Sequence, residues 1–216
     1  MTELVLKVAA SYLLGSILGS LVLGRLTGRG DLRTVGSHNP GSTNALRTYG
    51  KAFALGVVTI DVGKGWVATR IVPVVALPFA PASSEMREWL PAACGAAVML
   101  GHAYPVWFGF RGGKAVASFI GSVLGLAPRL ALPVLLAWGV VVVLTGFVGL
   151  ASMTATVLLP IFVGLEGRAS PRPLVAFAIF AAALVIFAHR ANIARMRAGC
   201  EPRARRLWLF GRRAAS

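Results

Sequence analysis

Residues 4–26 read LVLKVAASYLLGSILGSLVLGRL. The run is longer than the apolar core of a secretory signal, lacks a clear cationic segment before it, and is followed by more apolar runs rather than by a polar domain. It is therefore expected to be retained as a first membrane helix. Ser11, Gly15 and Gly19 recur every four positions, as do Ser16, Ser20 and Gly24, so neighbouring backbones can approach this helix closely. Further apolar runs cover 52–80, 89–104, 115–127, 130–147, 149–165 and 173–188. Several approach the roughly 20 residues that cross a bilayer as helix. The run 115–127 is the shortest and is expected to borrow loop residues or to pack inside the bundle as a partial helix. Only 13 % of the 216 residues are charged and 56 % are hydrophobic, whereas water-soluble domains carry about 25 % charge. The expected fold is an all-α integral membrane protein of about seven transmembrane helices, with residues 1–216 forming one polytopic domain that ends in a basic tail from about 190 to 216.

The formal charge of +15 raises nucleic acid as a partner, but the placement of the cations argues against it. With seven spans, one set of loops holds Arg25, Arg29, Arg33, Arg47, Lys51, Arg111, Lys114 and the arginines after Ala188, while the other holds only Arg87, Arg129, Arg168 and Arg172. Cations concentrate on the cytoplasmic side of membrane proteins. The N-terminus is then outside and the tail inside. Arg203, Arg205, Arg206, Arg212 and Arg213 read as topology determinants facing anionic lipid. Cys94 falls in a helix and Cys200 in the tail, so neither a disulfide between them nor a metal-ligand spacing is expected.

Three polar islands fall on the expected cytoplasmic side: DLRTVGSHNPGSTNALRTYGK at 31–51, FRGGKA at 110–115 and AHRANIARMRAGCEPR at 188–203. In the first, glycines allow amides to converge, and Ser42, Thr43 and Asn44 can open a short helix whose free N–H groups attract an anion. The island reads as a phosphate cradle or as a tight turn capped by Ser and Asn. In the second, Gly112, Gly113 and Lys114 at the mouth of a helix supply exposed amides and an ammonium for a phosphate; a flexible turn with lipid-facing cations is the other reading. It is not a nucleotide-binding P-loop, because the spacing is absent and Ala115 stands where Ser or Thr would hold magnesium. In the third, His189 and Asn192 share a face of a continuing helix, with Arg195 and Met196 a turn on. His189 is a proton-handling group or an interfacial anchor. Asp61 and Lys64, one turn apart inside the membrane, are expected to pair, with substrate contact as the other role. His102 reads as a helix-ending residue. Ser152 either faces a cavity or bonds its own helix backbone.

These islands, in this order, resemble the bacterial membrane glycerol-3-phosphate acyltransferases that use acyl phosphate, the PlsY family. The likeness runs through SYLLGSILGSLVLGRL, VGSHNPGSTNALRTYGK, IDVGKG, GHAYPVWFGFRGGKAVAS and AHRANIARMRAGCEPR. It implies a seven-helix membrane fold and transfer of a fatty acyl group from acyl phosphate to the 1-hydroxyl of sn-glycerol 3-phosphate, giving lysophosphatidic acid and phosphate in phospholipid synthesis. It implies catalytic roles for Ser37, Arg47, His189 and Asn192, and substrate binding by Asn39, Thr43, Asn44, Gly112, Gly113 and Lys114. Structural support is expected from Asp61, Lys64, Ser152 and Glu201. The family usually has Gly where this chain has His38 and Ala115, and Glu where it has Ala191. The expected partners are the two substrates and membrane lipid, with no cofactor, no metal, no nucleic acid and no obligate protein partner. The expected place is the bacterial inner membrane, with the site facing the cytoplasm.

An acyl phosphate already carries a good leaving group, so alignment of an alcohol and stabilisation of two phosphates suffice without a covalent intermediate. A set with Arg47, Lys114 and hydroxyl or amide donors, and no Ser-His-Asp triad, suits that task. A transporter or flippase for a phosphorylated lipid or polyol would use similar cations but predicts inverted internal symmetry, which is not seen. A repurposed, non-catalytic member would account for His38 and Ala115. An acyl-CoA or acyl-carrier donor is the remaining alternative within the enzyme class.

Overall fold

The computed structural model describes residues 1–77, 83–166, 171–205 and 207–212. Arg168, Arg206 and Arg213, counted among the loop cations, lie outside the described residues, as do positions 78–80 of the second apolar run. The described residues form α-helices and short 3-10 turns, with no strand: α1 (Thr2–Gly15), α2 (Gly19–Leu26), α3 (Ser42–Tyr49), α4 (Lys51–Arg70), α5 (Ser84–Ala103), α6 (Val116–Leu126), α7 (Pro128–Thr145), α8 (Val148–Leu165), α9 (Arg172–Ala188) and α10 (Arg190–Arg197). The helices group into two compact units, Met1–Leu126 and Ala127–Ser216.

Each of the seven apolar runs carries α-helix, but not over its whole length: residues 16–18 interrupt the first run, and α4 ends at Arg70 within the second. By length and composition three spans suffice to cross a membrane, Lys51–Val74, Pro128–Thr145 and Val148–Leu165, or five if each of two bent helix pairs counts as one. The run 115–127 falls on the 11-residue α6. On α7 the side chains of Leu132, Leu136, Val140 and Leu144 are more than half exposed. Their spacing of four puts them on one stripe. In water such a stripe would be a docking or aggregation face; in a bilayer it is the lipid-facing side.

In the first unit, glycines set the helix spacing. A Cβ on Gly15 would strike the backbone of Val98, and one on Gly101 the carbonyl of Tyr12, so α1 and α5 meet backbone to backbone. The same holds for α4 and α6, where Gly65 faces the Ser118 carbonyl and Gly121 the Val62 carbonyl. Each contact uses a position that only hydrogen can fill.

The first span departs from expectation. It is not one continuous helix: α1 and α2 meet at a bend of 49° across residues 16–18. A break inside a membrane frees backbone carbonyls that lipid cannot satisfy. Lys64 of α4 satisfies two of them, donating from Nζ to Gly15 O at 2.9 Å and Ile17 O at 2.7 Å. Asp61 Oδ1 accepts from the Gly19 N–H at 3.3 Å at the start of α2. A second buried pair closes the start of α1, with Lys7 Nζ 2.5 Å from Glu3 and 2.7 Å from Pro73 O.

In the second unit, α7 starts on a proline, whose missing N–H costs nothing at a helix start, and ends on Gly146 at φ +76°. Two residues later α8 returns alongside α7. The tail folds back on that turn: Ala204 N–H donates to Gly146 O, Trp208 Nε1 donates to Leu144 O, and Arg203 stacks 4.7 Å from the Phe147 ring and 4.2 Å from the Trp208 ring. The last helix pair, α9 and α10, bends by 55° at His189.

Candidate active site

The first island closes around one side chain. Asn44, 1 % exposed, donates from Nδ2 to the carbonyls of Leu32, Val35 and Asn39 at 3.0–3.1 Å. Its Oδ1 accepts from the Ser37 N–H at 3.0 Å and from Thr48 Oγ1 at 3.4 Å. Asn44, expected to touch substrate, is instead the post around which the loop winds, because its amide groups are already committed to the chain. Gly36 is required by this winding: it sits at φ +61°, and a Cβ there would strike Asn44 Oδ1. Asn44→Ala leaves the Leu32 and Asn39 carbonyls without their donor, while Val35 O keeps the His38 N–H. It is expected to cost about 2–3 kcal/mol of stability, read as a lower unfolding temperature of the detergent-solubilised protein; an unchanged temperature would contradict the scaffold role.

Helix α3 begins at Ser42, as its sequence predicts, behind Gly41. Ser37 and Arg47 are exposed and Asn39 and Thr43 half-buried. An apolar plug of Leu32, Ala45, Phe53, Ala54 and Val57 seats the island on α4, and Ser20 Oγ reaches up from α2 to Pro40 O at 2.7 Å.

Arg33 joins the first island to the second, a connection that the sequence does not announce. Its guanidinium donates to Phe108 O at 2.8 Å and Arg111 O at 3.1 Å, and lies 5.7 Å from the Phe108 ring. Asp31 grips the same guanidinium at 2.7 Å, and that hydrogen bond outweighs burial to hold the Asp31 carboxyl below its usual range.

The second island works differently from expectation. The amides of Gly112 and Gly113 do not stand free: they donate to Ala103 O at 3.2 Å and His102 O at 3.0 Å at the end of α5. The glycines are there for close approach. A Cβ on Gly112 would strike the His102 carbonyl, and one on Gly113 would strike His102 Nε2. One step later comes the first turn of α6, whose leading N–H groups have no intrahelical acceptor. Half-buried Lys114 stands immediately before that turn. His38 and Ala115 adopt φ +57° and +59°, a left-handed backbone that costs a residue with Cβ about 1–2 kcal/mol. The two departures from the family's glycines thus fall at positions where glycine would be unstrained.

Beneath this loop lies an ionic cluster. Lys64 Nζ is 2.9 Å from Asp61 Oδ1 and 2.9 Å from His102 Nδ1, and all three residues are at most 5 % exposed. Asp61 and Lys64 pair as their spacing implies, and His102, which in the sequence looks like a helix-ending residue, joins them. The available signal was that a buried Lys-Asp pair seeks a third polar partner.

The third island lies in the second unit. His189 terminates α9 and precedes α10, so the helix expected to continue through it is broken there. Its Nδ1 is 2.8 Å from Val185 O. A carbonyl only accepts, so Nδ1 carries the proton and, in the neutral ring, Nε2 holds the lone pair. Asn192, 6 % exposed, donates to Glu201 Oε1 at 2.6 Å, and Arg195 donates to Oε2 at 2.7 Å. Gly149 of α8 passes so close that a Cβ would sit 3.2 Å from the Asn192 amide. Ser152 bonds its own helix at Val148 O, 2.9 Å, and accepts from Trp138 Nε1 at 3.3 Å. No three His, Cys, Asp or Glu side chains among the described residues converge to hold a metal ion.

The described residues define an all-helical protein with apolar helices long enough to cross a membrane. The glycerol-3-phosphate acyltransferase family model matches residues 5–199. A glycerol-3-phosphate acyltransferase of Mesorhizobium japonicum is 40 % identical over 92 % of this chain and 94 % of its own length, and one of a Synechococcus strain is 39 % identical over the same shares. Crystal structures of PlsY, an integral membrane glycerol 3-phosphate acyltransferase, superpose with TM-scores of 0.80 for its glycerol 3-phosphate form, at 38 % identity, and 0.79 for its lysophosphatidic acid form, at 36 %, each covering 93 % of this chain and 94 % of theirs. The chain belongs to the glycerol-3-phosphate acyltransferase family, and it is an integral membrane enzyme of the PlsY type.

Proposed function

We propose that this protein transfers a fatty acyl group from acyl phosphate to the 1-hydroxyl of sn-glycerol 3-phosphate. The observation that carries the reading is the family match over 5–199, which takes in all of the first two islands and the His189–Asn192 segment. The hydroxyl oxygen forms a bond to the acyl carbonyl carbon, the bond from that carbon to the phosphate oxygen breaks, and the hydroxyl proton passes to a base. Phosphate and lysophosphatidic acid leave. Ser37, Thr43 and Arg47 hold the acyl-phosphate head. Lys114 and the first turn of α6 hold the phosphate of glycerol 3-phosphate. Asn192 orients the hydroxyl and His189 Nε2 takes its proton, since the hydrogen bond at Nδ1 leaves the lone pair there.

Seven spans with the N-terminus outside, the basic tail inside and the site at the cytoplasmic face of the bacterial inner membrane agree with the cation distribution. The acyl chain then lies among apolar helices while both phosphates stay at the aqueous boundary.

The test is lysophosphatidic acid formation from labelled glycerol 3-phosphate with palmitoyl phosphate, palmitoyl-CoA and palmitoyl carrier protein offered separately to the purified protein. Product is expected from palmitoyl phosphate alone. Arg47→Ala abolishes it, Lys114→Ala chiefly raises KM for glycerol 3-phosphate, and His189→Gln removes the acidic limb of the pH–rate profile. Product from another donor, or none from any, rejects the donor or the activity respectively.

A further inference from the structure

The glycine amides of the second island are bound to α5, so the donors for a phosphate there must come from elsewhere. Lys114 and the opening turn of α6 supply some. The ring of His102 supplies another candidate. Three observations locate its donor.

First, the ring is oriented. A methyl group built on Gly113 would meet His102 Nε2 before any other ring atom, with Cδ2 at 3.1 Å and Cε1 at 3.4 Å behind it. Nε2 is thus the apex that points at Gly113, the residue before Lys114.

Second, its tautomer is fixed. Lys64 Nζ stands 2.9 Å from Nδ1 and gives two of its protons to Gly15 O and Ile17 O. Its third lies between Asp61 Oδ1 and Nδ1. Two donors do not face each other at that distance, so Nδ1 accepts; the alternative, Nδ1–H donating to Asp61, spans 3.6 Å and is too long. The ring proton is therefore on Nε2.

Third, that proton has no acceptor among the described residues, although His102 is only 3 % exposed. Nε2 is not one of the sealed atoms without a partner, which among the described residues are the hydroxyls of Ser11, Ser118 and Ser122. A largely buried donor that is open at its tip is satisfied by a ligand or a water.

We propose that His102 is a further ligand of the substrate phosphate: its Nε2–H, aimed past Gly113 and held in that tautomer by Lys64 and Asp61, donates to a phosphate oxygen of glycerol 3-phosphate bound at Lys114 and the start of α6. This rests on the acyltransferase reading for the identity of the ligand, but not for the existence of an anion site.

Two variants separate the ring nitrogens. Asparagine places a polar atom near Nδ1 and none near Nε2, so His102→Asn keeps a partner for Lys64 and removes the donor. Glutamine reaches the Nε2 position, so His102→Gln keeps a donor and gives up the Lys64 contact. In the full-length enzyme, His102→Asn is expected to raise KM for glycerol 3-phosphate by ~10- to 100-fold, with kcat and KM for acyl phosphate little changed. His102→Gln is expected to restore KM to within ~3-fold of the parent while unfolding at a lower temperature than His102→Asn. A purely structural histidine gives the same order in both measurements and overturns the proposal, as does an unchanged KM in His102→Asn or a rise confined to acyl phosphate. Should neither variant fold, ring-15N histidine in the unmodified protein decides: the His102 Nε2–H resonance, assigned with His38→Gln and His189→Gln, shifts on addition of glycerol 3-phosphate or inorganic phosphate but not of glycerol. No shift overturns the proposal even if the enzyme is active. A shift in a protein that makes no product supports the phosphate site while rejecting the acyltransferase reading.

Discussion

Lys64→Met is expected to destabilise the protein by about 3–5 kcal/mol, the cost of stranding a buried partner of an ion pair. The side chain does three things at once. It neutralises Asp61, caps the Gly15 and Ile17 carbonyls at the break between α1 and α2, and fixes the His102 ring. Methionine fills similar space but offers no proton, so among the described residues Asp61 is left with the Gly19 N–H at 3.3 Å and the His102 ring at 3.6 Å. Adding Asp61→Asn should recover part of the loss, because the stranded charge disappears while the uncapped carbonyls remain. Thermal unfolding of the single and double variants in one detergent checks both statements. A double variant no more stable than Lys64→Met would mean that the carbonyls, not the charge, dominate.

Gly113→Ala is expected to remove most activity at sub-saturating glycerol 3-phosphate, by a rise in KM of ~10-fold or more, as for loss of a charge-assisted hydrogen bond. The added methyl would overlap His102 Nε2, and the ring cannot swing aside without leaving Lys64. The loop moves instead, carrying Lys114 with it. Gly63→Ala is the matched control: a Cβ there meets nothing within 4 Å, so KM should stay put. Equal effects at the two positions would show that the response at Gly113 is not steric. An unchanged KM in Gly113→Ala would place the phosphate away from this loop.

Residues legible in isolation were read correctly where their meaning is local. The spacing of Gly15 and Gly19 does mark close backbone contact, and Ser42 does open a helix. The Glu201 carboxylate accepts from Asn192 and Arg195, nine and six residues before it. Other environments depend on partners distant in the chain. Asn44 has the composition of a substrate ligand and the environment of a scaffold. Gly112 and Gly113 look like free amides until the carbonyls of His102 and Ala103 are placed against them. Arg33 looks like one more topology cation until it is seen gripping the carbonyls of Phe108 and Arg111, 75 and 78 residues away.

The sequence by itself determined that this chain lives in a membrane, which runs form helices, and the order of the three polar islands, because hydropathy and helix signals act over one or two turns and are written in consecutive residues. The tertiary structure alone decided where the first span breaks and what fills the gap. A bent helix in lipid is tolerable only when some other segment satisfies the carbonyls it frees. Which segment does so is a property of packing: Lys64 reaches back 49 residues to Gly15 and across 38 to His102, and no local pattern in the chain encodes those meetings.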